Sequence, residues 1–112
     1  MRYCLTLDLH RDEVIYEIYD RYHETVWPEV LDHLRSSGIE DMTIWRYQNR
    51  LVMLIEANRY FKFEHSEVGP DTHHRVVAWR DVMGALQRSL SGEDRPEWER
   101  MKEVFRLSEQ NG

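Results

Sequence analysis

From Arg2 to Leu9 apolar and polar positions alternate. Tyr3, Leu5, Leu7 and Leu9 fall on one side, and Arg2, Cys4, Thr6 and Asp8 on the other. The pattern predicts a strand whose first side packs on helices and whose mixed second side lines a cavity. After a turn at His10 to Glu13, with Asp12 as N-cap, the period becomes helical. Ile15, Ile18, Tyr22 and Val26 then form the face expected to be buried, opposite a solvated face of Glu17, Asp20, Arg21 and Glu24. Tyr19 and His23 are four residues apart and sit one turn above the other at the border of the apolar face. Pro28 cannot continue the helix, but it can open a second one with Glu29 in its first turn. The helical region is expected to end near Ser36, with Gly38 as the stop.

Asp41 to Tyr47 reads as a strand rich in β-favouring residues, and Gln48-Asn49-Arg50 as the break of a hairpin. Leu51 to Ala57 is nearly continuously apolar, as in a central strand covered on both faces; Glu56 marks where it reaches solvent. Arg59 to Gly69 is less regular. Gly69-Pro70 breaks the chain, and Asp71 or Thr72 is the expected cap of a helix from His74 to Leu90. A polar loop from Ser89 to Pro96 leads to a last strand, placed at Val104 to Leu107. The order strand, helix, strand, strand, helix, strand is the split pattern of a ferredoxin-like βαββαβ antiparallel sheet, an α+β fold. The sheet face away from the helices carries too much apolar area for water, and a two-fold homodimer of the dimeric α+β barrel type is its simplest cover.

Composition narrows the function. The length of 112 residues suits one domain over 1–112, and 41% hydrophobic residues suffice for a core. No apolar run reaches membrane-span length and no signal segment opens the chain, so no membrane partner is expected. A net charge of −6 disfavours nucleic acid. The single Cys4 precludes an internal disulfide framework and fits a reducing, cytoplasmic setting. The histidines at 10, 23, 33, 65, 73 and 74 form no convincing metal set. No phosphate-cradling glycine loop and no nucleophile motif appear. What remains is a histidine and a tyrosine without a cofactor, which suits proton transfer. The same spacing is more often that of core aromatics, and Trp27 and Glu29 are read first as shaping the helix restart.

The motif Tyr19-x-x-x-His23-x-x-x-Trp27-Pro28-Glu29 resembles the L-rhamnose mutarotase family. So do Arg2 to Leu9, Gly38-Ile39-x-Asp41, Leu51 to Glu56, Trp79-x-x-x-Met83 and Glu103-Val104-Phe105-x-Leu107, all in one order. The start of the chain and the Asp41-Met42 pair look more like members associated with L-fucose. The resemblance implies a dimeric ferredoxin-like fold and interconversion of the α and β anomers of a 6-deoxy sugar, without metal or cofactor. It makes His23 the proton donor and Tyr19 a substrate-binding residue. Trp79 becomes the first of a Trp-Trp pair on the sugar. Two positions depart: Arg80 stands where the second Trp is found, and Met42 where another substrate-contacting Tyr is found. Both are candidate substrate-binding residues, and both bear on which sugar is accepted. The reading requires imidazole and phenol to converge on a hollow fit for one pyranose. A non-catalytic sugar-binding or regulatory domain on the same fold is the alternative, and an oxygenase on a similar dimeric fold is a third by analogy.

Overall fold

A computed structural model describes residues 1–111. The helical and strand segments are β1 (Arg2–Leu9), α1 (Glu13–Glu24), α2 (Pro28–Ser36), β2 (Ile39–Tyr47), β3 (Arg50–Ala57), α3 (Phe63–Ser66), α4 (His74–Leu86), β4 (Gln87–Arg88) and β5 (Glu99–Arg100). A single 3-10 turn follows at Leu107–Glu109. The sheet is antiparallel with spatial order β2-β3-β1-β4, and β5 also pairs with β1. This is the ferredoxin-like arrangement expected of an α+β chain.

The register explains the alternation. Leu5 lies opposite Met53, Leu7 opposite Leu51 and Met53 opposite Ile44, so their side chains share the helix-covered face. Leu7, Leu9 and Leu51 have no solvent exposure, and burial of each contributes about 1.5–3 kcal/mol. The core divides into two clusters. One gathers Leu5, Ile39, Met53, Ile55, Ala57 and Phe61; the other gathers Leu9, Tyr19, Leu51 and Met83. Ile44 and Trp98, both partly buried or bordering, pack against both clusters and span the seam between them.

On the opposite face, Cys4 is paired with Leu54 and Thr6 with Val52, and these are flanked by Thr43 and Trp45. Val52 and Leu54 are only half-buried, so the expected two-sided cover of β3 is absent from the single chain. Trp45 is 55% exposed and Tyr47 76%. Asp8 is buried at the edge of this face by its pair with Arg50, whose second bond spans 3.2 Å.

Local signals behaved as chemistry requires. The Asp12 carboxylate accepts from the Val14 N–H at 2.9 Å, capping α1. Pro28 is the first residue of α2, where its missing N–H costs nothing. Gly38 adopts φ 102°, and an added Cβ would stand 2.8 Å from the Asn58 side chain, so a larger residue is excluded twice over.

Four expectations need correction. The buried stripe of α1 centres on Tyr19, which is 3% exposed, with Ile15 and Tyr22 beside it; Ile18 is 36% exposed. The helix packs its Tyr19 side against the sheet and α4, and the flank that carries Ile18 faces outward. Val26 lies beyond the helix end, in the link to α2. α4 is capped by His73, whose ring accepts from the Arg75 N–H at 3.1 Å, instead of by Asp71 or Thr72, and it ends at Leu86 instead of Leu90. The last strand is not Val104 to Leu107. Its place beside β1 is taken by two dipeptides, with Asp8 opposite Arg88 and Thr6 opposite Glu99, separated by the loop that carries Trp98. Val104, Phe105 and Leu107 are 87%, 64% and 76% exposed, so β propensity there finds no strand to pair with.

Candidate active site

The site grows from the last two turns of α1. Tyr19 points inward and packs with Leu9, Leu51 and Met83. His23, one turn on, lays its ring over the phenol at 4.2 Å between centroids and 29° between planes. Its Nδ1 lies 2.8 Å from the Tyr19 carbonyl oxygen. A carbonyl only accepts, so Nδ1 carries the hydrogen and, in the neutral ring, Nε2 carries the lone pair. Among the described residues Nε2 has no hydrogen-bond partner. The helix therefore supplies its own tautomer lock: the carbonyl four residues back is the one the imidazole can reach.

Burial pushes the His23 pKa below the ordinary histidine value. The bond to the Tyr19 carbonyl and the charge of Asp20 oppose this and do not overcome it. The ring is thus neutral at pH 7. Burial, helped by Asp20, drives the Tyr19 phenol far above its usual value, so it remains a protonated donor.

Around His23 stands a set of aromatic rings from three segments. Trp79 of α4 meets His23 edge to face at 5.3 Å and Tyr22 at 5.8 Å. Trp27, just before α2, meets Trp79 at 5.3 Å and Tyr22 at 6.4 Å. The Arg75 guanidinium lies over the Trp27 ring at 4.4 Å, and its Nε is 3.1 Å from Glu29 Oε2. The Glu29 carboxyl is held below the usual range by its own backbone N–H at the start of α2, with Arg75 adding to this.

Tyr19, His23 and Trp79 are therefore brought together. Met42 is elsewhere on the helix-covered face, packed against the cluster of Leu5, Ile39, Met53 and Ile55, across the seam from the aromatic rings. Arg80 projects from α4 to the surface, where its Nε and Nη2 donate to Asp81 at 3.1 and 3.0 Å. Two surface cavities lie away from His23. One, of about 300 Å³, is lined by Cys4, Leu54, Arg100 and Met101. The other lies among Met1, Glu56 and Arg106. The hollow between phenol and imidazole that the sequence reading requires is formed by neither of these cavities. Tyr19 is 3% exposed and packed among Leu9, Leu51 and Met83, while His23 is half-buried with Trp79 at its edge. Among the described residues no cluster of three or more His, Cys, Asp or Glu is placed to hold a metal ion.

The sequence reading did not single out Arg75 or Arg46. Arg75 precedes Trp79 by one helical turn, a spacing that could have flagged it. Arg46 carries no local signal, because its partner Asp20 comes from another element.

A family model described as L-rhamnose mutarotase matches residues 2–107. The chain belongs to the L-rhamnose mutarotase family. Its family membership makes it an isomerase-type enzyme. An L-fucose mutarotase of Xanthomonas campestris pv. campestris is 34% identical over 111 residues, which cover 96% of this chain and 89% of that protein. A UPF0734 protein of Dictyostelium discoideum is 32% identical over 116 residues, covering 94% of this chain and 88% of that protein. The crystal structure of an L-rhamnose mutarotase from Formosa agariphila superposes with a TM-score of 0.66 at 19% identity, over 96% of this chain and 98% of that one. That likeness establishes that the mutarotase-family fold is shared. Among the described residues no helix is long and apolar enough to cross a membrane.

Proposed function

We propose that the protein is a sugar mutarotase that interconverts the α and β anomers of a 6-deoxy-L-hexose, with His23 as the catalytic residue. The observation that carries this is the 2.8 Å bond from Nδ1 to the Tyr19 carbonyl, which leaves a neutral, uncommitted Nε2 beside an aromatic wall. In a pyranose the anomeric oxygen and the ring oxygen are bonded to the same carbon, so one nitrogen can serve both. Nε2 takes the proton of the anomeric hydroxyl and delivers it to the ring oxygen as the C1–O5 bond breaks. The open-chain aldehyde then turns about C1–C2. On closure O5 returns its proton to Nε2 while attacking the other carbonyl face, and Nε2 passes the proton to the new anomeric oxygen. The proton count closes on one imidazole, which acts as base and then as donor in each half, so the family's proton-donor role for His23 is kept. Opening in water already has a modest barrier, and positioned acid–base catalysis of about 10²–10⁴-fold suffices.

Tyr19 orients the sugar as a hydrogen-bond donor, and Trp79 offers a flat apolar surface to its C–H face. Met42 and Arg80 stand as candidate substrate contacts. Met42 can line the seam from the sheet, while Arg80 must leave Asp81 to reach a hydroxyl. L-rhamnose and L-fucose differ at C2 and C4, and L-fucose is the first sugar to test because the 34% identical relative carries that name. The enzyme works in the cytoplasm as a homodimer joined through the open sheet face. The exposed Trp45 and Tyr47 on that face, and the exposed Met101 and Phe105 of the tail, supply apolar area for it.

The deciding experiment is NMR magnetisation exchange between anomers over a panel of 6-deoxy and parent aldoses. Faster exchange on adding protein, lost in His23→Ala, supports catalysis. Binding without faster exchange would establish a non-catalytic sugar-binding domain instead.

A further inference from the structure

The geometry points to Arg75 and Glu29 as positioning residues that hold the Trp79 platform through Trp27. Glu29 is the second residue of α2, and Arg75 lies in the first turn of α4; their ion pair ties the starts of the two helices together at 3.1 Å. Neither Glu29 Oε2 nor Arg75 Nε is exposed, and their approach is not aligned as a hydrogen bond, so the contact acts as a charge pair with no other partner for either atom. The Cζ of the same guanidinium lies over the Trp27 ring, 4.4 Å from its centroid, within cation–π range. Trp27 abuts Trp79 at 5.3 Å, and Trp79 abuts His23 at 5.3 Å. Arg75 and Trp79 are also one turn apart on α4, so the clamp and the platform share a helix face. A carboxylate that only shaped the helix restart would need no partner from α4. Here it holds the guanidinium that lies over the indole.

The consequence is a division of labour. His23 carries the proton, while Arg75 and Glu29, without touching the sugar, set the surface on which the sugar lies. This rests on the mutarotase reading, yet it has a readout that does not. In protein labelled with fluorotryptophan, fluorine NMR reports Trp27, Trp45, Trp79 and Trp98 separately, with W27F and W79F assigning two of them. R75M and E29Q should shift or broaden the Trp27 and Trp79 signals and leave Trp45 and Trp98 in place, with an unchanged circular dichroism spectrum. In the anomer-exchange assay R75M should raise KM about threefold to tenfold, as expected for loss of one cation–π contact, with little change in kcat and none in the pH dependence that reports His23. R75K, which keeps the charge and loses the plane, should fall between. In a W27L background the R75M effect on KM should vanish. Unmoved Trp27 and Trp79 signals in both R75M and E29Q would overturn the proposal. So would an R75M effect of full size in the W27L background, because Arg75 would then act on the sugar directly. A wild-type protein that does not accelerate exchange would sink the mutarotase reading, while the fluorine spectra still decide the clamp.

Discussion

Arg46 of β2 grips Asp20 of α1 with two nitrogens, at 2.9 and 2.7 Å, and so pins the helix carrying His23 to the sheet beneath it. The same guanidinium lies 5.1 Å from the Tyr16 ring centroid. Asp20 is read from periodicity as a solvated residue. It instead sets the rotation of α1 and contributes a negative charge that raises the pKa of both Tyr19 and His23. Asp20→Asn removes that charge and frees the Arg46 cation, and both changes disfavour the imidazolium. The acidic limb of kcat/KM should therefore move to lower pH. The pair is partly exposed and screened by solvent, so stability should drop by no more than about 1 kcal/mol in denaturant titration. A limb displaced upward would refute the assignment.

Wild-type activity should be level through neutral pH and fall only on acidification, below the ordinary histidine value of about 6.5, because burial depresses the His23 pKa. The sign for stability agrees. The folded state prefers the neutral ring, so this stabilisation is full above the unfolded value and is lost as pH falls through the folded one. Phosphate-free exchange kinetics and thermal melts across the acidic range test both. An activity limb centred above neutrality, absent in His23→Ala, would contradict the lowered value.

Tyr19→Phe keeps the ring that stacks on His23 and the carbonyl that fixes Nδ1, and it deletes only the hydroxyl. It should slow anomer exchange by less than His23→Ala, which should lose about 10²–10⁴-fold. The reverse order would transfer the proton-handling role to the phenol.

Trp45→Asp places a charge in the open sheet face, where Trp45 neighbours Val52. Light scattering coupled to size exclusion should show a dimer for the wild type and a monomer for the variant. A monomeric wild type at micromolar concentration would remove the dimer from the proposal.

Leu7→Ala empties a position with no solvent exposure at the centre of β1. Denaturation should show a loss of about 2–5 kcal/mol, whereas Thr6→Ala on the open face should lose less, chiefly its 2.8 Å bond to the Leu51 carbonyl.

The chain itself dictates much of this. A period of two over Arg2–Leu9 leaves one choice of inward face, because a strand turns every second residue the same way. Asp12 acts through its carboxylate on a backbone N–H two residues on, and Pro28 and Gly38 act through their own backbones, so the ends of α1 and α2 can be read locally. The tether of His23 is local as well, since its carbonyl lies four residues back on the same helix. Distance in sequence is where reading stops. The rotation of α1 that buries Tyr19 and leaves Ile18 in water depends on Arg46 and on α4, which local periodicity cannot sense. β-type residues are dense at Val104 to Leu107, yet register with β1 selects Gln87–Arg88 and Glu99–Arg100. Trp27, Arg75 and Trp79 become one clamp only when α2 and α4 pack side by side. Periodicity and capping are properties of neighbours along the chain, whereas stacking and ion pairing across elements are properties of the packed fold, and only the fold could decide them.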